Sequence, residues 1–336
     1  MRAWSVVRTL SPSRLWNAGK VYASFWYARR TKKPEQWGLP FALSIEPTTS
    51  CNLRCPECPS GLRSFSRPTG MLQREKFHEL VDQFAPHLMY LNFYFQGEPY
   101  LNPNLLEMVH YAHRKKILTS TSTNAHYLDS DKARATVQSG LDRLIISIDG
   151  TTQETYQAYR IGGKLDKVLE GTRNILHWKK QLKSKTPHVV FQFLVTSYNE
   201  HQVKDVQLMA HELGVDEVHL KTAQVYDFEN GNVLIPNNDK YARYTRNAEG
   251  RWVLKNQLED HCWRMWHSCV ITWDGGVVPC CFDKDAHHRL GLLNNFTLKD
   301  IWFSPPYRNF RMQVLNGREQ IEICKNCSEG SLVYGE

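Results

Sequence analysis

The chain has no long apolar run. Its 336 residues contain nothing close to the 18 or so consecutive apolar residues of a membrane-spanning helix, and the mean hydropathy is −0.51. It also lacks an uncharged apolar segment followed by a small-residue cleavage site, the pattern of a secretory signal. These two absences predict a soluble protein of the reducing cytoplasm, where its 9 cysteines remain thiols.

Acidic residues are missing from the first 33 positions. Of the 42 Lys and Arg, eight lie in residues 1–33 together with none of the 34 Asp and Glu, so the rest of the chain carries 34 side chains of each sign. A broad phosphate-binding face needs clustered Lys and Arg, which this neutral body does not supply. The charge balance therefore argues against a nucleic-acid partner.

The basic arm, residues 1–40, has the pattern of an amphipathic helix. Ser11 can cap the helix, with Pro12 at its first position. Apolar side chains then recur at helical spacing, namely Leu15, Ala18, Tyr22, Phe25 and Trp26. Two interpretations stay open. Either the helix packs on the body with its arginines in solvent, or residues 1–33 lie on an anionic membrane or bind an acidic partner.

A fourth cysteine is missing near the triplet Cys51, Cys55 and Cys58, which reads C-N-L-R-C-P-E-C. Thiolate sulfur selects soft metals and iron-sulfur clusters, and such clusters are normally held by four cysteines. Three ligands with no fourth nearby predict a four-iron cluster with one open iron. Zinc is the alternative, with His78 or a distant cysteine as its fourth ligand. A disulfide framework does not suit so long a chain without a secretory signal.

Strand and helix patterns alternate between residues 41 and 221. The strand-like runs are 41–46, 88–95, 117–123, 141–148, 189–195 and 215–220. The helical patterns between them are 72–84, 103–115, 129–139, 164–183 and 200–213. Such repeated β/α units predict a parallel sheet, curled into an incomplete barrel over residues 41–235. The functional loops of these folds follow the carboxyl ends of the strands, as the cysteine triplet does here.

Further motifs follow the later strands: Gln96-Gly97-Glu98-Pro99, then S-T-S-T-N, I-I-S-I-D-G and the run from Tyr156 to Arg160. In this order, after the triplet, they resemble the radical S-adenosylmethionine (SAM) enzymes. The resemblance implies a partial (β/α)6 TIM-like barrel, a [4Fe–4S] cluster on the triplet, and SAM on the open iron. The SAM-binding residues that it implies are Gly97, Glu98, Asn124, Ser147, Asp149 and Arg160.

The resemblance also implies roles for individual residues of these motifs. The segment around Gly97 and Glu98 is similar to the G-G-E-P that holds the SAM amino group in the family, and Arg160 is the expected partner of the SAM carboxylate. Glu57, before the third cysteine, stands where the family often has an aromatic residue near the adenine. For Ser147 and Asn124 a role as turn or capping residues is the alternative.

The other six cysteines lie in the last quarter of the chain. Cys262, Gly275 and Cys280 form C-x12-G-x4-C, and C-K-N-C ends at Cys327. These runs resemble the SPASM or shorter Twitch domain, which implies an auxiliary iron-sulfur domain over residues 255–336. Four cysteines close a cluster. We expect the ligands to be Cys262, Cys280, Cys324 and Cys327, with Cys269 as an alternate.

One auxiliary [4Fe–4S] cluster is expected rather than two. The full SPASM pattern has further cysteines after the C-x2-C, and the chain reaches Glu336 without them. Cys281 is adjacent to Cys280, and neighbouring thiolates rarely reach one cluster together. Tetrahedral zinc is the alternative for these cysteines as well.

The resemblance implies an enzyme that cleaves SAM reductively to a 5′-deoxyadenosyl radical, using a low-potential electron donor. The radical abstracts hydrogen from a peptide or a polar small molecule, so the protein's task is positioning and the exclusion of water. Net oxidation also needs a base, and Asp283, beside the auxiliary cysteines, is the candidate. The alternative for Asp283 is a solvated loop carboxylate.

Two other functions stay open. In the first, the radical acts on a lipid, sugar or cell-envelope precursor, which the basic aromatic arm favours if it binds membranes. The non-enzymatic interpretation is an iron-sulfur or zinc binding module without SAM turnover.

Overall fold

The structure, a computed structural model, describes residues 7–255 and 258–327. The ends of the predicted arm and tail, residues 1–6 and 328–336, lie outside the described residues, as do residues 256–257.

The described chain divides into two compact units. The first holds the residues up to Ser50, Phe65–Thr121 and the residues from Leu258 onward; the second holds Cys51–Ser64 and the residues from Ser122 to 255. The division thus falls just before the cysteine triplet. The predicted domain limits, 1–40, 41–235 and 255–336, stay predictions.

The strands of the described residues alternate with helices as far as residue 222. In chain order the strands are β1 Ala42–Ile45, β2 Tyr90–Asn92, β3 Leu118–Thr123, β4 Arg143–Ser147, β5 His188–Val195, β6 Glu217–Thr222, β7 Tyr244–Arg246, β8 Trp252–Leu254, β9 Ser268–Ile271, β10 Gly276–Val278 and β11 Gly291–Leu292. The α-helices are Pro12–Thr31, Pro59–Leu62, Arg74–Phe84, Leu105–Arg114, Ser130–Gln138, Gln153–Tyr159, Leu165–Gln181, Val203–Leu213, Arg264–His267, Leu298–Trp302 and Pro305–Gly317.

All six predicted strands and all five predicted β/α helices are present. Local sequence signals explain their ends. The Asp129 carboxylate accepts the N–H of Lys132 at 2.7 Å and so caps the helix Ser130–Gln138. Gly214 ends the helix Val203–Leu213 with a φ of +80°, a left-handed conformation that glycine adopts without Cβ strain.

In the first unit, β1 is a central strand. It pairs in parallel with β2 on one side and with β9 on the other, since Ala42 lies opposite both Tyr90 and Ser268. Strand β2 pairs in parallel with β3. Strands β10 and β11 continue antiparallel from β9. The cysteine-rich tail therefore adds its strands to the sheet that contains β1.

The second unit contains the parallel strands β4, β5 and β6. Ser147, the last residue of β4, lies opposite Gln192 of β5, and Val195 lies opposite Thr222 of β6. After β6 the chain forms an antiparallel hairpin of β7 and β8. Apolar residues near this hairpin pack with the cysteine loop in one buried cluster, namely Leu53, Cys55, Tyr159, Val225, Leu234, Ile235, Ala242 and Tyr244.

The N-terminal helix, Pro12–Thr31, begins as predicted: the Ser11 hydroxyl accepts the N–H of Arg14, and Pro12 is its first residue. Its buried face is not the apolar stripe that the sequence pattern marks. Leu15, Tyr22 and Trp26 are 53%, 57% and 38% exposed. The residues that the helix buries are Arg14, Asn17, Val21, Ser24, Phe25 and Ala28.

Hydrogen bonding explains this burial. The guanidinium of Arg14 donates to the carbonyl oxygens of Thr9, Ala85, Lys115 and Lys116, at 2.7 to 3.2 Å. Those of Ala85, Lys115 and Lys116 lie just beyond two helix C-termini, where carbonyls lack partners of their own. An apolar side chain at position 14 could not satisfy them.

Candidate active site

The cysteine loop occupies residues 51–58 of the second unit. Cys55 is buried, 5% exposed, while Cys51 and Cys58 are half-buried. The N–H of Cys58 donates to the carbonyl oxygen of Cys55 at 3.3 Å. Gly61 passes so near that a Cβ there would lie 2.6 Å from both the backbone N and O of Cys55. Cys55 and Cys58 are thus held on one tight turn, which Cys51 precedes in the chain.

Arg160 and Asp149 lie beside Cys55. Arg160 Nη1 is 3.8 Å from Cys55 Sγ, and Arg160 Nε donates to Asp149 Oδ2 at 2.5 Å. The other carboxylate oxygen of Asp149 accepts the N–H of Leu194, and the amide of Asn199 donates to the backbone oxygen of Asp149. Asp149 therefore fixes Arg160 and is itself fixed by two neighbours.

The electrostatics of this group follow from burial and charge. Burial raises the pKa of the Cys55 thiol, Arg160 opposes that shift, and Cys58 and Asp149 add to it. Burial lowers the pKa of Arg160, but Asp149 and Cys55 hold it well above its ordinary value. A buried thiolate here needs positive charge, which Arg160 supplies in part and iron would complete.

Asn124 contacts the same loop. Its amide Nδ2 donates to Asn52 Oδ1 at 2.8 Å, and its Oδ1 accepts the N–H of His126. Asn52 stands between Cys51 and Cys55 in the chain, yet its side chain gave no recognisable signal in the sequence. Ser147 is 6% exposed at the carboxyl end of β4.

Gly97 and Glu98 lie in the first unit, against the segment that leads to Cys51. Gly97 has a φ of +76°, and a Cβ there would lie 2.2 Å from the carbonyl oxygen of Thr48. The N–H of Glu98 donates to the carbonyl oxygen of Ser50 at 2.8 Å, and its carboxylate accepts the N–H of Tyr100. Only glycine fits position 97 without displacing this backbone.

Glu57, where an aromatic residue was expected, has a backbone partner in the second unit. Its carboxylate accepts the N–H of Tyr226 at 3.0 Å. Tyr226 belongs to the segment after β6 and is 54% exposed. The Glu57 side chain thus links the cysteine loop to the segment after β6.

The tail cysteines of the first unit meet around Arg318. This arginine is 3% exposed, and its Nη2 lies 3.2 Å from Cys327 Sγ. Burial lowers its pKa, but Cys262, Cys327 and Cys324 raise it above the ordinary value. The negative charge of a Cys262 thiolate also raises the pKa of Cys280. Cys262, Cys324 and Cys327 thus lie near Arg318, and Cys280 lies near Cys262; the four remain the predicted auxiliary ligands.

Cys269 and Cys281 differ from those four. Cys269 lies within β9, opposite Leu43 of β1; burial raises the pKa of its thiol, and Arg311 opposes the shift. Cys281 is hydrogen-bonded to Cys280, which together with burial raises the pKa of Cys280 well above its ordinary value. A cysteine in the middle of a strand is less free to reach a cluster than one in a loop.

Asp283 is not a solvated carboxylate. It is 1% exposed, and its two oxygens accept the N–H groups of His287 and His288 at 2.8 and 2.9 Å. Burial raises the pKa of Asp283, and these two hydrogen bonds only partly oppose the shift. The alternative expected for Asp283 is therefore wrong in its exposure.

The cysteine sets suit a cluster in their chemistry. In the described chain no three His, Cys, Asp or Glu side chains converge on a position that one metal ion could occupy. Cluster ligands need not converge in this way, because each thiolate binds a different iron atom. Crowded, buried thiols whose pKa values are raised are stabilised when a positively charged group binds them as thiolates.

Comparisons with known proteins identify the family of this chain. Residues 45–219 match the model of the radical SAM superfamily, just over half of the chain. The chain belongs to the radical SAM superfamily. Residues 262–328 match SPASM, an iron-sulfur cluster-binding domain. This radical SAM enzyme has the α/β fold with a parallel sheet and the SPASM tail that its sequence predicted.

Two curated relatives cover most of this radical SAM chain. It is 26% identical over 318 residues to a PqqA peptide cyclase of Gluconobacter oxydans, covering 88% of this chain and 85% of that protein. It is 24% identical over 315 residues to a cofactor-modifying protein of the tungsten-containing aldehyde ferredoxin oxidoreductase of Pyrococcus furiosus, with coverages of 85% and 86%.

Solved structures show the same fold. Streptococcus suis SuiB bound to S-adenosylmethionine has a TM-score of 0.65 at 15% identity, covering 94% of this chain and 77% of that one. Membership implies a [4Fe–4S] cluster and SAM as cofactors, and the SPASM domain implies auxiliary iron-sulfur binding. Among the helices of residues 7–255 and 258–327, none has both the length and the apolar composition to cross a membrane.

Proposed function

We propose that this radical SAM enzyme oxidises or crosslinks a peptide. The relatives support a peptide substrate: one is named a peptide cyclase, and SuiB has also been solved bound to its precursor peptide SuiA. The observation that carries the chemistry is the Asp149–Arg160–Cys55 group, a buried charge arrangement next to the cysteine loop.

Cys51, Cys55 and Cys58 are the proposed ligands of the first cluster. When bound, the cluster and SAM supply a one-electron cleavage that yields a hydrogen-abstracting radical; the electron comes from a low-potential donor. Buried surroundings such as those of Cys55 exclude water, which would otherwise quench reactive species.

The residues around the loop are proposed to position SAM. Arg160, oriented by Asp149, presents a guanidinium suited to a carboxylate. Asn124, which is hydrogen-bonded to Asn52, offers a polar side chain beside the loop. Ser147 is the last residue of β4, two positions before Asp149. Gly97 and Glu98, whose backbone packs against the segment before Cys51, are the proposed partners of the SAM amino group.

Cys262, Cys280, Cys324 and Cys327 are the proposed auxiliary ligands, and Asp283 is the proposed base. A carboxylate whose pKa is raised suits proton acceptance near neutral pH. The Asp283→Asn variant tests this role. Retained SAM cleavage with lost substrate oxidation supports it, whereas equal loss of both indicates a structural role for the two backbone hydrogen bonds.

A deuterium-transfer experiment tests the substrate class. Cells of the producing organism are grown in deuterated medium and fractionated into peptides, lipids and polar small molecules, and each fraction is incubated with reduced enzyme and SAM. The abstracted hydrogen ends in 5′-deoxyadenosine, so mass spectrometry shows which fraction donated it. We expect deuterium from the peptide fraction, and none with the Cys55→Ala control. Transfer from the lipid fraction alone contradicts a peptide substrate.

A lipid or cell-envelope precursor is the second candidate, favoured by the exposed face of the N-terminal helix. Trp16, Leu15, Tyr22 and Trp26 are 72%, 53%, 57% and 38% exposed along one side of it. Residues 1–33 contain eight basic and no acidic side chains. We propose that this face rests on an anionic membrane, because aromatic rings and cations together suit the headgroup region.

Vesicle flotation tests the membrane contact. Vesicles of phosphatidylcholine alone are compared with vesicles that also contain phosphatidylglycerol, at low and high salt. We expect binding only to the anionic vesicles, weakened by salt and by the Trp16→Ser/Tyr22→Ser variant. The control variant is Tyr198→Ser/Leu208→Ser, two exposed apolar residues of the second unit. Equal flotation of both variants contradicts the proposed face.

A further inference from the structure

One buried guanidinium lies among the auxiliary cysteines. Arg318 donates from Nη2 to Cys327 Sγ at 3.2 Å, and it is also hydrogen-bonded to the Cys324 thiol. Arg318 thus places a buried guanidinium beside the sulfur atoms of half-buried Cys324 and buried Cys327.

The backbone and side chain of Arg318 are both anchored. Its N–H donates to Asp260 Oδ1 at 2.9 Å, and its Nη1 donates to the carbonyl oxygen of His261 at 2.9 Å. It follows directly on the helix Pro305–Gly317, as that helix's C-cap. Because the guanidinium is a rigid planar fork, the hydrogen bond from Nη1 to His261 also restrains the direction of Nη2, while the bond to Asp260 holds the backbone of Arg318.

Such a donor changes the energetics of a cluster bound by those cysteines. Reduction adds one negative charge to a cluster, and reduction potentials depend on net charge and on hydrogen bonds to the sulfur atoms. A buried cation beside two ligand sulfurs stabilises the more negative, reduced state. Groups around a metal site tune it in this way without being ligands.

We propose that Arg318 hydrogen-bonds the thiolate ligands Cys324 and Cys327 of the auxiliary cluster and raises its reduction potential. Arg318 is a positioning and tuning residue, and the cluster is thereby suited to accept the electron left on an oxidised substrate. The proposal rests on the proposed function in one respect, that these cysteines hold the auxiliary cluster.

A redox titration tests it. In the Cys51→Ala/Cys55→Ala/Cys58→Ala background only the auxiliary cluster remains, and its midpoint potential is measured by electron paramagnetic resonance. We expect Arg318→Gln to make reduction about tenfold less favourable, a shift of about 59 mV to lower potential for one electron. Arg318→Lys, which keeps the charge, should fall between the two. Arg14→Gln is the control, since Arg14 is also buried, 6% exposed, but donates to backbone carbonyls.

The outcomes separate this inference from the proposed function. An unchanged potential in Arg318→Gln at about four irons per chain overturns the role of Arg318 and leaves the cluster assignment intact. A background that binds no iron overturns both. If Arg318→Gln loses its cluster, the contact is tested instead in the triple-alanine background protein labelled with 15N-arginine, by electron paramagnetic resonance of the reduced cluster. A hyperfine coupling from a guanidinium nitrogen to the reduced cluster, absent in Arg318→Lys, supports the contact; no coupling overturns it.

Discussion

Arg160 and Asp149 form an ion pair beside Cys55, with Arg160 Nε 2.5 Å from Asp149 Oδ2 and Arg160 Nη1 3.8 Å from Cys55 Sγ. The Asp149 side chain is fully buried and that of Arg160 is 17% exposed. The sequence places these two residues on either side of a short helix, Gln153–Tyr159. Their contact makes Asp149 a support for Arg160 rather than a free carboxylate.

The Asp149→Asn substitution removes the charge that orients Arg160. We expect SAM cleavage to fall by about 10- to 100-fold, the usual cost of losing a group that orients a cofactor contact, with the iron content unchanged. The measurement is 5′-deoxyadenosine formation under strong reduction. Asp216→Asn is the control, because Asp216 pairs with Lys179 at 2.7 Å in the same unit. Equal rates in the two variants contradict the role of Asp149.

Gly97→Ala separates a close contact from backbone strain. Gly97 and Gly214 both have positive φ, but a Cβ at 214 has nothing within 4 Å, whereas one at 97 meets the carbonyl oxygen of Thr48 at 2.2 Å. We expect both variants to lose about 1 kcal/mol of unfolding free energy through strain. Only Gly97→Ala should also weaken SAM binding, measured by equilibrium dialysis. Unaltered SAM binding in Gly97→Ala means that this loop is not part of the SAM site.

Arg67→Met leaves a buried charge without its partner. Arg67 donates to both oxygens of Glu46, at 2.6 and 2.9 Å, and the two side chains are 5% and 0% exposed. Burial raises the pKa of Glu46, and Arg67 opposes that shift. We expect the substitution to lower the free energy of unfolding by about 3 to 5 kcal/mol, measured by denaturant titration.

The double variant Glu46→Gln/Arg67→Met serves as its control. We expect it to recover part of the loss, because no uncompensated charge then remains buried. If the double variant is less stable than Arg67→Met, the contribution of Glu46 lies in other contacts, such as the N–H of Trp273 that it accepts at 3.2 Å.

Iron counts test the auxiliary ligand set. Cys269→Ser should keep about eight irons per chain after anaerobic reconstitution, since Cys269 lies within β9, whereas Cys262→Ser and Cys324→Ser should keep about four. If Cys269→Ser loses about four irons and one of the predicted ligand variants does not, Cys269 replaces that cysteine in the ligand set. About four irons in the unaltered chain would remove the auxiliary cluster altogether.

The stability of the folded state should depend on pH through Glu217, the first residue of β6. Burial would raise its pKa, but hydrogen bonds from His219 and His188 and the charge of Arg143 lower it to about 2. A lowered carboxyl pKa stabilises the folded state above the ordinary value of 4.5, and this contribution is lost as pH falls from 4.5 towards 2.

We therefore expect Glu217→Gln to be less stable than the unaltered protein at pH 7, with a difference that shrinks below pH 4.5. Thermal unfolding followed by circular dichroism between pH 7 and pH 2 measures it. Glu212→Gln, on the exposed side of the helix Val203–Leu213, should show no such trend. A constant difference for Glu217→Gln at all pH values argues against the lowered pKa.

Much of the fold could be predicted because its signals are local. The alternation of period-2 and period-3.6 patterns located each β/α unit, and motifs at strand ends located the cysteine loop, Glu98, Asn124 and Asp149. The burial of Arg14 could not be predicted, because its partners, Ala85, Lys115 and Lys116, are distant in sequence. An apolar periodicity does not reveal unpaired carbonyls elsewhere in the chain.

The sequence by itself was enough to predict the superfamily and its cofactors from the nine cysteines, because ligand chemistry depends on residue type and spacing. Only the tertiary structure decided the surroundings of the tail cysteines: it places Cys262, Cys324 and Cys327 near Arg318 and keeps Cys269 in a strand. It also decided that Asp149 pairs with Arg160, and that Arg318 donates a hydrogen bond to the sulfur atom of Cys327. Contacts of this kind depend on how distant segments pack, and packing is a property of the whole fold.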